Sequence, residues 1–171
     1  AAQAGNDSRI QYYLPPSIPR AFVDGRLVSN PLSAQNYVNL IGKQAVQDTV
    51  VTLAFNQLNR AGNSISGKLE VSALQNIPTG HRLHIALIED EIDYPVAPGS
   101  NGQTHFETVL RDFFPDGNGT EITLNAQQSL VINFHFTLDS GWGSDLTVLA
   151  FIQNQATKAV LQSGWTRYPA L

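Results

Sequence analysis

Four histidines (His81, His84, His105 and His135) and a run of carboxylates (Glu89-Asp90-Glu91-Ile92-Asp93) are the side chains here that could bind a metal or move protons. Zinc needs three or four ligands converging on one point. His81 and His84, three apart on an extended segment, point to opposite faces, so the spacing predicts no zinc site. Hard cations need several oxygens at one point, and the carboxylate run supplies oxygens. The run leads into the longest loop, so it reads as a solvated strand end whose charges deter edge pairing. Asp116-Gly117-Asn118-Gly119-Thr120-Glu121 places oxygen side chains at alternate positions, like the first half of a calcium loop. The twelfth position, where a bidentate glutamate is required, holds Gln127, and the segment reads as a plain turn. Serines are plentiful, but no nucleophile-elbow sequence frames any of them. With no cysteine in the chain, thiol chemistry is excluded. No catalytic residue, metal or cofactor is therefore expected. Glu89 and Arg111 fall on successive strands either side of the long loop, and an ion pair pinning the loop base is predicted. Asn118-Gly119-Thr120 also satisfies the glycosylation acceptor pattern, on an exposed turn.

Composition narrows the partners. The 171 residues carry 10 Lys+Arg against 14 Asp+Glu, a net charge of −4, with no basic cluster. That argues against nucleic acid and anionic membrane as partners. Charged residues are only 14% of the chain, and lysine occurs just three times (Lys43, Lys68, Lys158). Such a polar, weakly charged surface is common in secreted and cell-surface β proteins. The absence of methionine and the start Ala1-Ala2-Gln3-Ala4 predict a processed N-terminus, left by a signal peptidase or by cleavage of a longer polypeptide. No apolar run approaches the ~20 residues that span a bilayer. The expected location is outside the cytoplasm: extracellular, cell surface or periplasm.

The elements that must position these groups follow from periodicity. Residues 1–9 read as a small, polar, mobile tail, and residues 10–14 as a strand ended by Pro15-Pro16. Asp24-Gly25 between apolar runs predicts a hairpin, since a tight primed turn needs positive φ. Pro31 or Ser33 then opens a helix with Leu32, Tyr37, Leu40 and Ile41 on its apolar face, and Gly42 is either inside its last turn or its C-terminal stop. Beyond Gln47 the period becomes two. Strands are predicted over 49–56, 64–74, 81–89, 104–113, 120–124, 129–138, 146–153 and 159–163. The cleanest alternation sets Leu130, Ile132, Phe134, Phe136 and Leu138 against Val131, Asn133, His135 and Thr137. Trp142 and Trp165, flanked by glycines, read as lids on the core. The fold class is mainly β: an antiparallel sandwich of seven to eight strands over 48–171, preceded by a hairpin and one helix within 1–47.

Two resemblances add to this. Ser17-Ile18-Pro19-Arg20-Ala21-Phe22-Val23-Asp24-Gly25-Arg26-Leu27-Val28, with the helical stretch after it, resembles the closing half of a thioredoxin-like domain. In that family the proline before the strand is usually cis, which the resemblance implies for Pro19. The redox cysteines are absent, so residues 1–47 look like a remnant. Leu83-His84-Ile85-Ala86-Leu87-Ile88-Glu89-Asp90, His105-Phe106-Glu107-Thr108-Val109-Leu110-Arg111-Asp112 and Leu146-Thr147-Val148-Leu149-Ala150-Phe151-Ile152-Gln153 are similar to the β-sandwich domain of the twenty-eight-kilodalton outer-membrane protein family of bacteria. The chain departs from that pattern at Glu107-Thr108, where the family more often has Asn-His. The resemblance implies an exported, cell-envelope or extracellular protein, often with a thioredoxin-like domain ahead of the sandwich.

Function is thus expected to be non-catalytic: an exported structural or interaction protein of the bacterial cell surface. Ile10, Tyr12, Tyr13 and Leu14, read as a strand without a partner, are the expected assembly segment, adding to a neighbour's sheet. The partner is another copy or another envelope protein. The alternative is an accessory module of an envelope thioredoxin-like redox protein whose cysteine-bearing half lies on another chain or was removed.

Overall fold

The structure is a computed structural model and describes residues 2–14 and 20–168. In chain order it contains α1 (Ala2–Tyr13), β1 (Phe22–Val23), β2 (Arg26–Leu27), α2 (Ala34–Gln44), β3 (Val51–Ala61), β4 (Ser64–Ala73), β5 (Ile77–Asp93), β6 (His105–Phe114), β7 (Thr120–Leu124), β8 (Ser129–Thr137), β9 (Leu146–Asn154) and β10 (Val160–Tyr168). β3-β4-β8 form a three-stranded sheet. The second sheet runs β10-β9-β5-β6, with β7 also on β5. Every pairing is antiparallel.

β5 is the spine. On one edge it pairs with β9 from His81 to Glu89. On the other it pairs first with β7 (Ile77 with Leu124 through Leu83 with Thr120), then with β6 (Ile85 with Phe114 through Asp93 with His105). Side chains alternate across both sheets, and the inner faces interlock. Ile65, Leu69 and Val71 of β4 and Phe134 and Phe136 of β8 meet Leu83, Ile85 and Leu87 of β5 and Val148, Ala150 and Ile152 of β9 in one core. The apolar set read from β8 is the inward one: Phe134 and Phe136 are buried while Val131, Asn133, His135 and Thr137 face solvent. The Tyr168 hydroxyl donates to the Ser66 carbonyl oxygen (2.8 Å), tying the last strand to the opposite sheet.

Three local expectations are corrected. Residues 2–9 are not a tail nor residues 10–14 a strand, for Ile10, Tyr12 and Tyr13 belong to α1 and Leu14 follows it. Little in this small, polar segment favours a helix by itself, so tertiary contacts decide. Gly5, Arg9, Tyr12 and Tyr13 recur at helical spacing and lie against the outer face of the five-stranded sheet. A Cβ on Gly5 would stand 2.9 Å from the Phe113 ring, so only glycine lets the helix seat there. The second concerns how α2 opens: Ser33 and not Pro31 stands at the N-cap, Ala34 is the first helical residue, and Gly42 lies inside the last turn. Third, Trp142 does pack on the core edge, but Trp165 stands 65% exposed on β10. Pro15, Pro16 and Pro19 lie outside the described residues.

Truncation of either inward ring, Phe134→Ala or Phe136→Ala, is expected to lower unfolding free energy by about 3–5 kcal/mol in urea titration. His135→Ser, on the opposite face, should cost under about 1 kcal/mol. A larger loss for His135→Ser than for Phe134→Ala would mean that the facing of β8 is reversed.

Candidate functional site

Both regions of concentrated polar chemistry hang on β5, one near its middle and one toward its C-terminal end. At its C-terminal end, Glu89 is 3% exposed although it carries a carboxylate. Arg111 of β6 meets its Oε2 through both Nε and Nη2 at 2.6 Å, and the Gly143 amide donates to Oε1 at 2.8 Å. Arg111 also lies 5.7 Å from the Trp142 ring centroid. The structure thus brings Glu89 and Arg111 together, and it adds the 139–145 loop as a third party. Sequence reasoning missed that loop, because nothing local joins Gly143 to a strand fifty residues earlier.

His105, at the base of the 94–104 loop, lies 2.8 Å from Asp93 Oδ1 and 3.5 Å from Glu107 Oε1. Hydrogen bonds to Asp93 and then Glu107 raise its pKa above the ordinary histidine value. The cluster is exposed. Among the described residues, no group of three or more His, Cys, Asp and Glu side chains is arranged to hold a metal ion. Asp116 Oδ1 instead accepts the Asn118 amide (2.7 Å), which closes the turn read from sequence.

The other region lies on the outer face of the five-stranded sheet, beneath α1. Arg9 Nη2 donates to Gln153 Oε1 (2.7 Å), and the guanidinium lies 4.8, 5.1 and 5.5 Å from the rings of Tyr12, Tyr13 and Phe151. Gln153, fully buried, donates from Nε2 to the Tyr13 hydroxyl and to the Lys158 carbonyl, both at 2.7 Å. The Tyr12 hydroxyl reaches the carbonyls of Asn154 and Gln155. Tyr13 packs on Phe22 (4.4 Å between centroids), which fastens the hairpin to the helix. Of the four residues expected to assemble with a neighbour, Tyr12 and Tyr13 are therefore engaged with the chain's own sandwich. Ile10 and Leu14 remain 57% and 74% exposed.

His84 sits under this layer, stacked on Phe151 at 4.8 Å and 1% exposed. Neither ring nitrogen has a hydrogen-bonding partner. Burial, reinforced by Arg9 and Arg82, lowers its pKa from 6.5 to about 3. It lines a cleft of about 330 Å³ with Ser8, Arg9, Tyr12, Arg82, Gly117, Asn118 and Gln155. The sequence places His84 on the face opposite His81, but not beneath a helix. His81 has its own partners, the Pro78 carbonyl oxygen at 2.9 Å and the Asn154 amide at 3.1 Å.

These geometries make two predictions. Arg111→Ala leaves the Glu89 carboxylate buried and unpaired, and should destabilise by about 3–5 kcal/mol; the double replacement Glu89→Leu/Arg111→Leu should recover much of that loss in the same denaturation assay. For His84, the unfolded chain binds a proton near pH 6.5 that the folded one refuses until about pH 3. Its contribution is complete above pH 6.5 and is lost as pH falls toward 3, at about 1.4 kcal/mol per pH unit. His84→Phe, which keeps a stacked ring, should flatten that acid limb in denaturation followed from pH 7 to 3; an unchanged limb would show that His84 titrates normally.

Comparison with known proteins follows from this architecture. A family model described as Outer membrane protein Omp28 matches residues 6–164. Among solved structures, HBP35 of Porphyromonas gingivalis superposes with a TM-score of 0.72 at 17% identity, over 95% of this chain and 56% of that one. A domain of the outer membrane lipoprotein Omp28 from Porphyromonas gingivalis gives a TM-score of 0.49 at 14% identity, over 71% of this chain and 89% of that one. None of the curated proteins matches. The chain spans just over half of HBP35, and a shared fold over 95% of it takes in more than the sandwich. Among the described residues no helix is long and apolar enough to cross a membrane. With the family model matched along nearly its whole length, this exported protein of the bacterial cell envelope belongs to the Omp28 outer membrane protein family.

Proposed function

We propose that the chain is a non-catalytic structural or interaction protein of the bacterial cell surface, and that it assembles through its N-terminal layer, residues 1–47. One observation carries this reading: α2 buries none of its residues. Val38 and Ile41, three apart and on one face, are 61% and 54% exposed, and Leu32 and Val46 at either end are more exposed still. The helix stands off the body across a cleft of about 400 Å³ lined by Ile41, Gln44 and Ala45 on one side and Val160–Ser163 on the other. An amphipathic helix in water gains most of its stability by burying its apolar stripe, so this stripe calls for a partner surface. Ile10 on α1 and Leu14 just after it add apolar area, while Tyr12 and Tyr13 hold α1 to the sandwich. Assembly by strand addition through residues 10–14 is replaced in this reading by helix-face docking.

A second reading is favoured by the β1–β2 hairpin followed by α2, the order that closes a thioredoxin-like domain. In it, the α2 face seats against a cysteine-bearing thioredoxin-like half, and the chain is an accessory module of an envelope redox protein. Sedimentation velocity separates the two. Self-assembly predicts concentration-dependent association of the intact chain at high micromolar concentration. The association should be lost in Val38→Asp/Ile41→Asp, with the β circular dichroism signal kept. A monodisperse monomer at all concentrations overturns the structural-subunit reading; a monomer forming a one-to-one complex with a thioredoxin-like domain is the outcome of the accessory reading.

A further inference from the structure

The cleft between α1 and the outer face of the five-stranded sheet is built unlike the rest of this surface. It collects polar groups that lack partners. His84, 1% exposed, leaves both imidazole nitrogens without a hydrogen bond, and the buried Gln155 Nε2 is likewise unbonded. A buried polar atom without a hydrogen bond is destabilising, and three such atoms share one cavity wall.

The cleft also concentrates positive charge in a chain whose net charge is −4. Arg82 spends Nη1 on the carbonyls of Asn118 (3.1 Å) and Gly119 (3.4 Å). Arg9 spends Nη2 on Gln153 and the Tyr13 hydroxyl. Among the described residues neither arginine forms an ion pair with a carboxylate. The nearby carboxylates are otherwise placed. Asp116 accepts the Asn118 amide, Asp112 accepts the Phe113 amide, and Glu121, in register with Arg82, makes no contact within ion-pair distance. Ser8 and Tyr12 direct their hydroxyl hydrogens to backbone carbonyls. What faces the cavity is therefore a surplus of N–H donors: two guanidinium groups, one imidazole N–H and one carboxamide. Water could satisfy single atoms, but two guanidinium groups with no carboxylate in ion-pair contact favour an anion.

We propose that this cleft binds a small ligand through an oxyanion, a carboxylate or phosphate group held between Arg9 and Arg82 and reached by His84 and Gln155. Arginine presents N–H groups in a planar fork matched to both anions. At about 330 Å³ the cavity is at the small end of ligand sites, which suits a compact anion or the anionic end of a larger molecule. Tyr12 and His84 add ring faces to the wall. The site is separate from the α2 surface, so it stands or falls independently of how the chain assembles.

The test is a titration of the isotopically labelled intact chain, followed by backbone amide NMR, with sodium acetate and with inorganic phosphate as separate probes. Saturable shifts at Arg82, Asn118 and Gln155 with at least one probe are expected, and the preferred probe assigns carboxylate or phosphate. Arg82→Gln should weaken binding about tenfold, the loss of one charge-assisted contact. Gln155→Glu, a near-isosteric change on a surface turn that sets a carboxylate in the cleft, should abolish binding while leaving the thermal midpoint close to that of the parent. Shifts with neither probe, shifts that rise without saturation over the whole cationic surface, or equal affinity in Gln155→Glu would overturn the proposal.

Discussion

Everything placed in this molecule is placed by β5. Its backbone is paired on both edges along most of its length, with β9 on one side and β7 then β6 in tandem on the other. A strand satisfied on both edges cannot slide without breaking all three ladders at once, and a slip of one residue would turn Leu83, Ile85 and Leu87 out of the core. The register fixes which β5 side chains look inward and which look outward. Arg82 and His84 meet α1 for that reason, and Glu89 meets Arg111 and the Gly143 amide.

Two stretches of β5 solve opposite electrostatic problems. At Glu89 the buried charge is compensated completely, by a guanidinium and a backbone amide, and the result is a stitch between two strands and a loop. At His84 burial acts first and the neighbouring Arg9 and Arg82 add to it: the imidazole is held neutral and its nitrogens stay unbonded. Compensated burial is the mark of architecture. Uncompensated burial at the wall of a cavity is the mark of a place made for something else.

The N-terminal layer divides in the same way. α1 is bound to the body by the Arg9, Tyr12, Tyr13 and Gln153 network, and the hairpin is bound to α1 by Tyr13 on Phe22 and to the body by the Val160 amide bonding the Asp24 carbonyl. Gly25, at φ +77°, runs so close to the Lys158 carbonyl that no side chain fits there. Among the described residues α2 has no such fastening: none of its residues is buried, and Val38 and Ile41 stay more than half exposed. One layer thus contains a segment wholly invested in this sandwich and a segment that is not.

The sandwich was legible in the sequence because strand periodicity is a local property. Alternation at 130–138 named the inward face of β8 residue by residue, and turn residues such as Asp24-Gly25 and Asp116-Gly117-Asn118-Gly119 bounded the strands on their own backbone preferences. The Glu89–Arg111 juxtaposition was legible too, since two strands joined by one loop have few ways to pair. The helical state of Ile10, Tyr12 and Tyr13 was not, because aromatic residues favour strands until a tertiary surface, here Phe151, Gln153 and Phe113, rewards the 3.6-residue period instead. Nor was the cleft, which joins Arg9 and Tyr12, Arg82 and His84, Asn118, and Gln155. Local sequence determines which backbone shapes are cheap and which faces are apolar. Which distant groups come to share a cavity, and which buried atoms are left without a partner there, is decided only when the sheets close and α1 is laid across them.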